Sequence, residues 1–115
     1  RSMDKQTELN QERLRLIEKF KKVLPETIAA ELKVGEKAYA DGALSAKQKR
    51  LIALGVALGR GCTNCILGQT MRSLEAGATP QEILEVTGVA VAIGGTMGMA
   101  ESLRVVKLLE ELGKI

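Results

Sequence analysis

The chain has 115 residues, a formal charge of +3, two cysteines and no histidine. That length fits one domain, residues 1–115, able to bury a core of its own. Without histidine, two cysteines in one chain cannot complete a four-ligand zinc site of N/S type, and neither a Ser-His-Asp nor a Cys-His catalytic set is available.

Apolar mass comes from Leu, Ile, Val, Ala and Met; the aromatic residues are Tyr39 and Phe20. Ala, Leu, Lys and Glu favour helices, and the prolines at 25 and 80 stand where helices can begin. The composition predicts an all-α fold: a compact bundle of about five to six helices. Basic and acidic residues are interleaved, so the pI near 9.0 reflects a solvated surface. Nucleic-acid binding needs a basic patch on a recognisable module, and the sequence offers neither. Arg1-Ser2 ahead of Met3 reads as an expression remnant and is left out of the fold reading. No signal peptide is read ahead of the cysteines, and two cysteines do not make a secreted disulfide scaffold, so a cytoplasmic location is expected. The apolar run from Val86 to Ala100 is broken by glycines and threonines and falls short of the about 20 residues of a membrane span.

From residue 4 to about 24, Leu9, Leu16, Phe20 and Val23 follow helical spacing opposite a charged face. This helix packs either on its own domain or on another subunit. Pro25-Glu26-Thr27 has the proline and acid of a first turn, and Asp41-Gly42 supplies a stop. Ser45 and Gln48 form a capping-box pattern ahead of a helix from about Ala46 to Leu58. Gly59-Arg60-Gly61 breaks it, and a further helix runs from Cys62 to about Ala76, with Gly77 as its stop. Thr79, Pro80 and Glu82 give the clearest start signal. Residues 80–93 are apolar on most sides, the pattern of a central, buried helix; part of that surface is expected to face a partner subunit. Gly94-Gly95 interrupts it before a last helix from about Thr96 to Leu112. Gly88, Gly94, Gly98 and Ala100 permit close helix approach and form no phosphate loop.

The chemistry is concentrated in Cys62-Thr63-Asn64-Cys65. Two intervening residues put both sulfurs on one turn, and a helix N-terminus stabilises a thiolate. Arg60 adds positive potential. Such a pair can cycle between dithiol and disulfide: one thiolate attacks, the other resolves. The competing readings are two cysteines serving as small core hydrophobes, or half of a metal site completed by another chain.

Three segments between Leu44 and Ile93, namely Leu51-Ile52-Ala53-Leu54-Gly55-Val56-Ala57, Gly61-Cys62-Thr63-Asn64-Cys65-Ile66 and Leu74-Glu75-Ala76-Gly77-Ala78-Thr79-Pro80-Gln81-Glu82-Ile83, resemble the carboxymuconolactone decarboxylase family in its alkyl hydroperoxidase D-like branch. The resemblance implies an all-helical fold, homo-oligomers (trimers or hexamers) and thiol-dependent peroxidase activity in the dithiol-bearing members; no cofactor or metal is expected. The decarboxylases proper lack this dithiol pattern. The branch places a histidine four residues after the second cysteine and a glutamate twelve before the first, as a proton relay; here those positions are Gln69 and Arg50. Neither can shuttle a proton near pH 7. Glu36 is a possible replacement carboxylate.

The resemblance makes Cys65 the attacking thiol and Cys62 its partner, whereas helix-end electrostatics favours Cys62 as the more acidic one. The site reading is therefore Cys62, Cys65 and Gln69. The expected activity is reduction of a small hydroperoxide or a disulfide, with a thiol reductant regenerating the dithiol. The alternative is a non-catalytic oligomer or a redox sensor that has lost the relay.

Overall fold

The computed structural model describes residues 5–115, so Arg1-Ser2 and the expected helix start at residue 4 lie outside the described residues. Among the described residues there are five helices and no strand: α1 (Gln6–Val23), α2 (Pro25–Tyr39), α3 (Ala46–Arg60), α4 (Thr63–Glu75) and α5 (Pro80–Glu111). The all-α expectation holds.

The centre is built by α3, α4 and α5. Leu54, Ala57 and Leu58 of α3 meet Ile66 of α4 and Ile83, Val105 and Leu109 of α5, all buried. This cluster fixes the α3–α4 corner, and that corner carries the cysteines. Both start signals read from the sequence close as capping boxes: Ser45 with Gln48 at α3, and Thr79 with Glu82 at α5. Gly61, Gly77 and Gly113 adopt positive φ at the ends of α3, α4 and α5. There a side chain would crowd the backbone, so glycine is the residue that terminates without strain.

The expected break at Gly94-Gly95 is present: the span α5 consists of two helical arms that meet at a sharp kink. Gly95 has φ 57° and ψ −134°, outside the helical region. The kink folds the second arm against the first so closely that a Cβ on Gly98 would lie 2.2 Å from the carbonyl oxygen of Ala90. Gly98 thus does the close-approach work read from the small-residue series, while Gly88 and Gly94 face open space. By length and composition α5 passes for a membrane span. The kink, however, divides it into arms of about 15 residues, each short of the about 20 that a bilayer crossing needs.

The burial expected for residues 80–93 is realised on one side only: Ile83 is buried, and Leu84, Val86 and Ala90 pack against the core. Ile93 is 87% and Met97 78% exposed, and Val89 and Val91 are exposed as well. Periodicity identifies residues that favour burial, but nothing else in the described chain lies over this side of α5. The α1 stripe behaves similarly: Leu16, Phe20 and Val23 are exposed. Leu9 and Ile17 of α1 are half-buried, and the N-terminal end of the helix is held by polar contacts. Lys5 gives its N-terminus no side-chain cap. Glu111, at the far end of the chain, accepts the Gln6 and Thr7 backbone N–H groups at 3.0 and 2.9 Å and the Thr7 hydroxyl at 2.9 Å. Burial pushes the Glu111 carboxyl up, but these hydrogen bonds outweigh it and hold the pKa below its ordinary value.

Candidate functional site

The α3–α4 corner is set by backbone bonding. The Cys62 N–H donates across five residues to the Ala57 carbonyl at 3.2 Å, with Gly61 in the left-handed conformation (φ 67°, ψ 31°). This closure ends α3 and leaves Cys62 extended, as the N-cap of α4. The Cys62 Sγ accepts the Cys65 N–H at 3.2 Å, as a serine oxygen would at a helix start. The two sulfurs are joined as a disulfide, with the Cα atoms 5.2 Å apart. Cys65 is exposed and Cys62 half-buried. The reading of both cysteines as buried hydrophobes is therefore not met.

Both cysteines open into a groove of about 560 Å³ between the end of α2, the length of α3 and the head of α4. Gln69, one turn beyond Cys65, lines the same groove. It is fixed from both ends: Arg50 Nη1 donates to Gln69 Oε1 at 3.2 Å, and Gln69 Nε2 donates to the Tyr39 hydroxyl at 3.4 Å. The Arg50 guanidinium also lies over the Tyr39 ring, 3.5 Å from its centroid. Arg50 has donors only, so the amide must turn its oxygen to Arg50 and its nitrogen to Tyr39. The phenol oxygen then serves as acceptor, and its own proton is left to point elsewhere. Burial lowers the Arg50 pKa, and the repulsion of Arg72 adds to this; the group stays charged at neutral pH.

The two positions where the sequence departs from the peroxidase pattern, Arg50 and Gln69, thus meet each other beside the dithiol. Glu36 does not join them: it is exposed and outside the groove lining, which contains no carboxylate. Two residues escaped the sequence reading. Tyr39 is 30 residues from Gln69, and no periodic signal links them. Glu101 lies behind the corner, its Cδ 4.0 Å from where a Cβ on Gly61 would sit. It lines a second cleft of about 620 Å³ that shares Ile52, Val56 and Arg60 with the dithiol groove.

Residues 25–108 match the sequence profile of the carboxymuconolactone decarboxylase family. The chain belongs to that family. An uncharacterized protein of Cupriavidus necator is 35% identical over 74 residues, 64% of this chain and 66% of that protein. Uncharacterized protein 4 in the cox locus of Paracoccus denitrificans is 34% identical over 74 residues, 64% of this chain and 67% of its own length. The match thus spans about two thirds of these curated relatives. Among solved structures, the apo form of a carboxymuconolactone decarboxylase family protein from Legionella pneumophila superposes with a TM-score of 0.88 at 31% identity, covering 96% of this chain and 99% of that one. A Thermotoga maritima protein gives a TM-score of 0.79 at 28% identity, covering 90% of each chain. Family membership and the all-helical fold therefore agree. The Cys62–Cys65 pair fits the redox-active side of the family.

Proposed function

We propose that this family member is a cytoplasmic dithiol–disulfide oxidoreductase of the alkyl hydroperoxidase D-like branch, reducing hydroperoxides. One observation carries the reading: Cys62 and Cys65 are bonded to each other at the head of α4, at the mouth of a groove large enough for a small molecule. In the reduced protein the exposed Cys65 attacks. Its thiolate forms an S–O bond to the hydroperoxide, the O–O bond breaks, and an alkoxide leaves. Cys62 then attacks the sulfenic sulfur; the S–S bond forms, the S–O bond breaks, and the thiol proton leaves with the hydroxyl as water. The two thiols lose two electrons to the peroxide, and an external thiol reductant restores them.

The alkoxide needs a proton, and neither Gln69 nor Arg50 can supply it. In this reading Tyr39 does, because its hydroxyl is hydrogen-bonded through Gln69 in the acceptor sense and keeps its proton for the groove. Cys65→Ser is expected to abolish peroxide consumption, Cys62→Ser to trap a sulfenate or mixed disulfide, and Tyr39→Phe to slow turnover about 100-fold. Stopped-flow peroxide consumption with mass spectrometry checks all three. Equal turnover in both cysteine variants removes the dithiol from the mechanism.

The absent relay favours a second reading, a redox-sensing or non-catalytic oligomer. Its signature is thiols that oxidise and are reduced without sustained peroxide turnover. In either case we propose a homo-oligomer, trimer or hexamer, that covers the exposed Val89, Ile93 and Met97 on α5. Sedimentation at monomer mass would sink that part.

A further inference from the structure

We propose that the dithiol groove selects hydroperoxides that carry a carboxylate on a long apolar chain, and that Lys49 is the residue that recognises the carboxylate. The inference rests on the peroxidase reading above and names its substrate class.

Three features of the groove lead there. Its charged lining residues are Lys49 and Arg60, with no acid to neutralise them. Between them the same face of α3 is apolar, presenting Ile52, Ala53, Val56 and Ala57. Ile52 and Val56 are one turn apart and exposed, though both are large aliphatics on the helix nearest the core. An apolar wall between two cations fits an amphipathic anion and has no use for hydrogen peroxide, which is small and neutral.

The ends of the wall are distinct. Arg60 is the last residue of α3, next to the corner that holds the sulfurs. Its charge there favours a thiolate. Lys49 lies in the first turn of α3, eight residues before Ala57, whose carbonyl anchors Cys62. At 1.5 Å per residue, Lys49 is about 12 Å along the axis from the level of the sulfurs. Its ammonium is held in place by the Ala40 carbonyl at 2.6 Å, which leaves two N–H donors for a ligand. A carboxylate at Lys49 and a peroxide at Cys65 are then separated by most of the apolar wall. That separation matches a hydroperoxide in the middle of a long fatty-acid chain.

The test compares a mid-chain hydroperoxide of an eighteen-carbon fatty acid with its methyl ester, both below their micelle concentrations. We expect the wild-type protein to show about a fivefold higher kcat/KM for the acid at low salt, the size of an exposed ion pair at its upper end. The preference should shrink as salt screens the pair. Lys49→Gln should bring the two substrates level by slowing only the acid, and Arg60→Gln should slow both alike. The salt dependence needs no variant, so a misfolded Lys49→Gln protein does not shield the idea. Acid and ester consumed equally by the wild type, or an acid preference that survives Lys49→Gln or high salt, overturns the proposal and leaves the peroxidase reading standing. If Cys65→Ser consumes the acid as fast as the wild type, or the wild type consumes neither substrate, both fall together.

Discussion

The chain turns twice by the same device, once from α3 into α4 and once from α4 into α5. At each turn a glycine takes positive φ, Gly61 at 67° and Gly77 at 94°. At each, an N–H donates back five residues, Cys62 to Ala57 and Ala78 to Ser73, at 3.2 and 2.9 Å. A capping side chain then accepts the N–H three residues on. At α5 this is the Thr79 oxygen from Glu82 at 3.1 Å, and at α4 the Cys62 sulfur from Cys65 at 3.2 Å. The turns differ in how the box is closed. Glu82 reaches back with a hydrogen bond to the Thr79 N–H at 2.9 Å, whereas Cys65 reaches back with a covalent bond to sulfur. The spacing of a capping box is thus also the spacing of a redox dithiol. Replacing two oxygen-bearing side chains by sulfur turns a structural helix start into a reversible one.

Breaking the shared part of the device should damage both turns equally in stability and only one in chemistry. Gly61→Ala and Gly77→Ala each force a side chain into a left-handed conformation. A Cβ would meet nothing within 4 Å at Gly77 and only the Glu101 side chain at 4.0 Å at Gly61, so sterics add little at either site. We expect each variant to lose about 1–2 kcal/mol in urea unfolding. Gly61→Ala should in addition shift the reduction potential of the dithiol, measured by equilibration with glutathione. Gly77→Ala should leave it unchanged. A shift of the same size in both variants would mean that the dithiol responds to global stability and not to its own corner.

The sequence made the turns legible because their signals are local. Ser45 with Gln48, Thr79 with Glu82, and the glycines at 61, 77 and 113 all act within five residues. The two cysteines belong to the same class. What it could not show was long-range placement. The Glu111 carboxylate caps α1 from more than 100 residues away. Tyr39 reaches the site only because α2 ends beside α3 and α4. Arg50 and Gln69 were visible as departures from the family pattern; that they bond to each other was not. The apolar circumference of α5 was also legible, but whether this chain itself covers it is not encoded in periodicity, and the described residues leave Val89, Ile93 and Met97 exposed.

The smallest effect separates the two closures by pH. The Glu82 carboxyl is held below its ordinary pKa, first by the Thr79 backbone N–H and then by Lys47, whose Nζ lies 3.0 Å away. A carboxylate depressed in the folded state contributes its stability above the unfolded value, about 4.3, and loses it as pH falls through the folded pKa. Acid therefore opens the box at α5. In the oxidised protein the box at α4 holds no titratable group, since a disulfide neither gains nor loses a proton. Between pH 6 and pH 3, amide exchange corrected for intrinsic rates should rise at Thr79 and stay level at Cys65. Acid loosening of both turns together in the oxidised protein would show that a common unfolding event, and not the Glu82 closure, governs the head of α5.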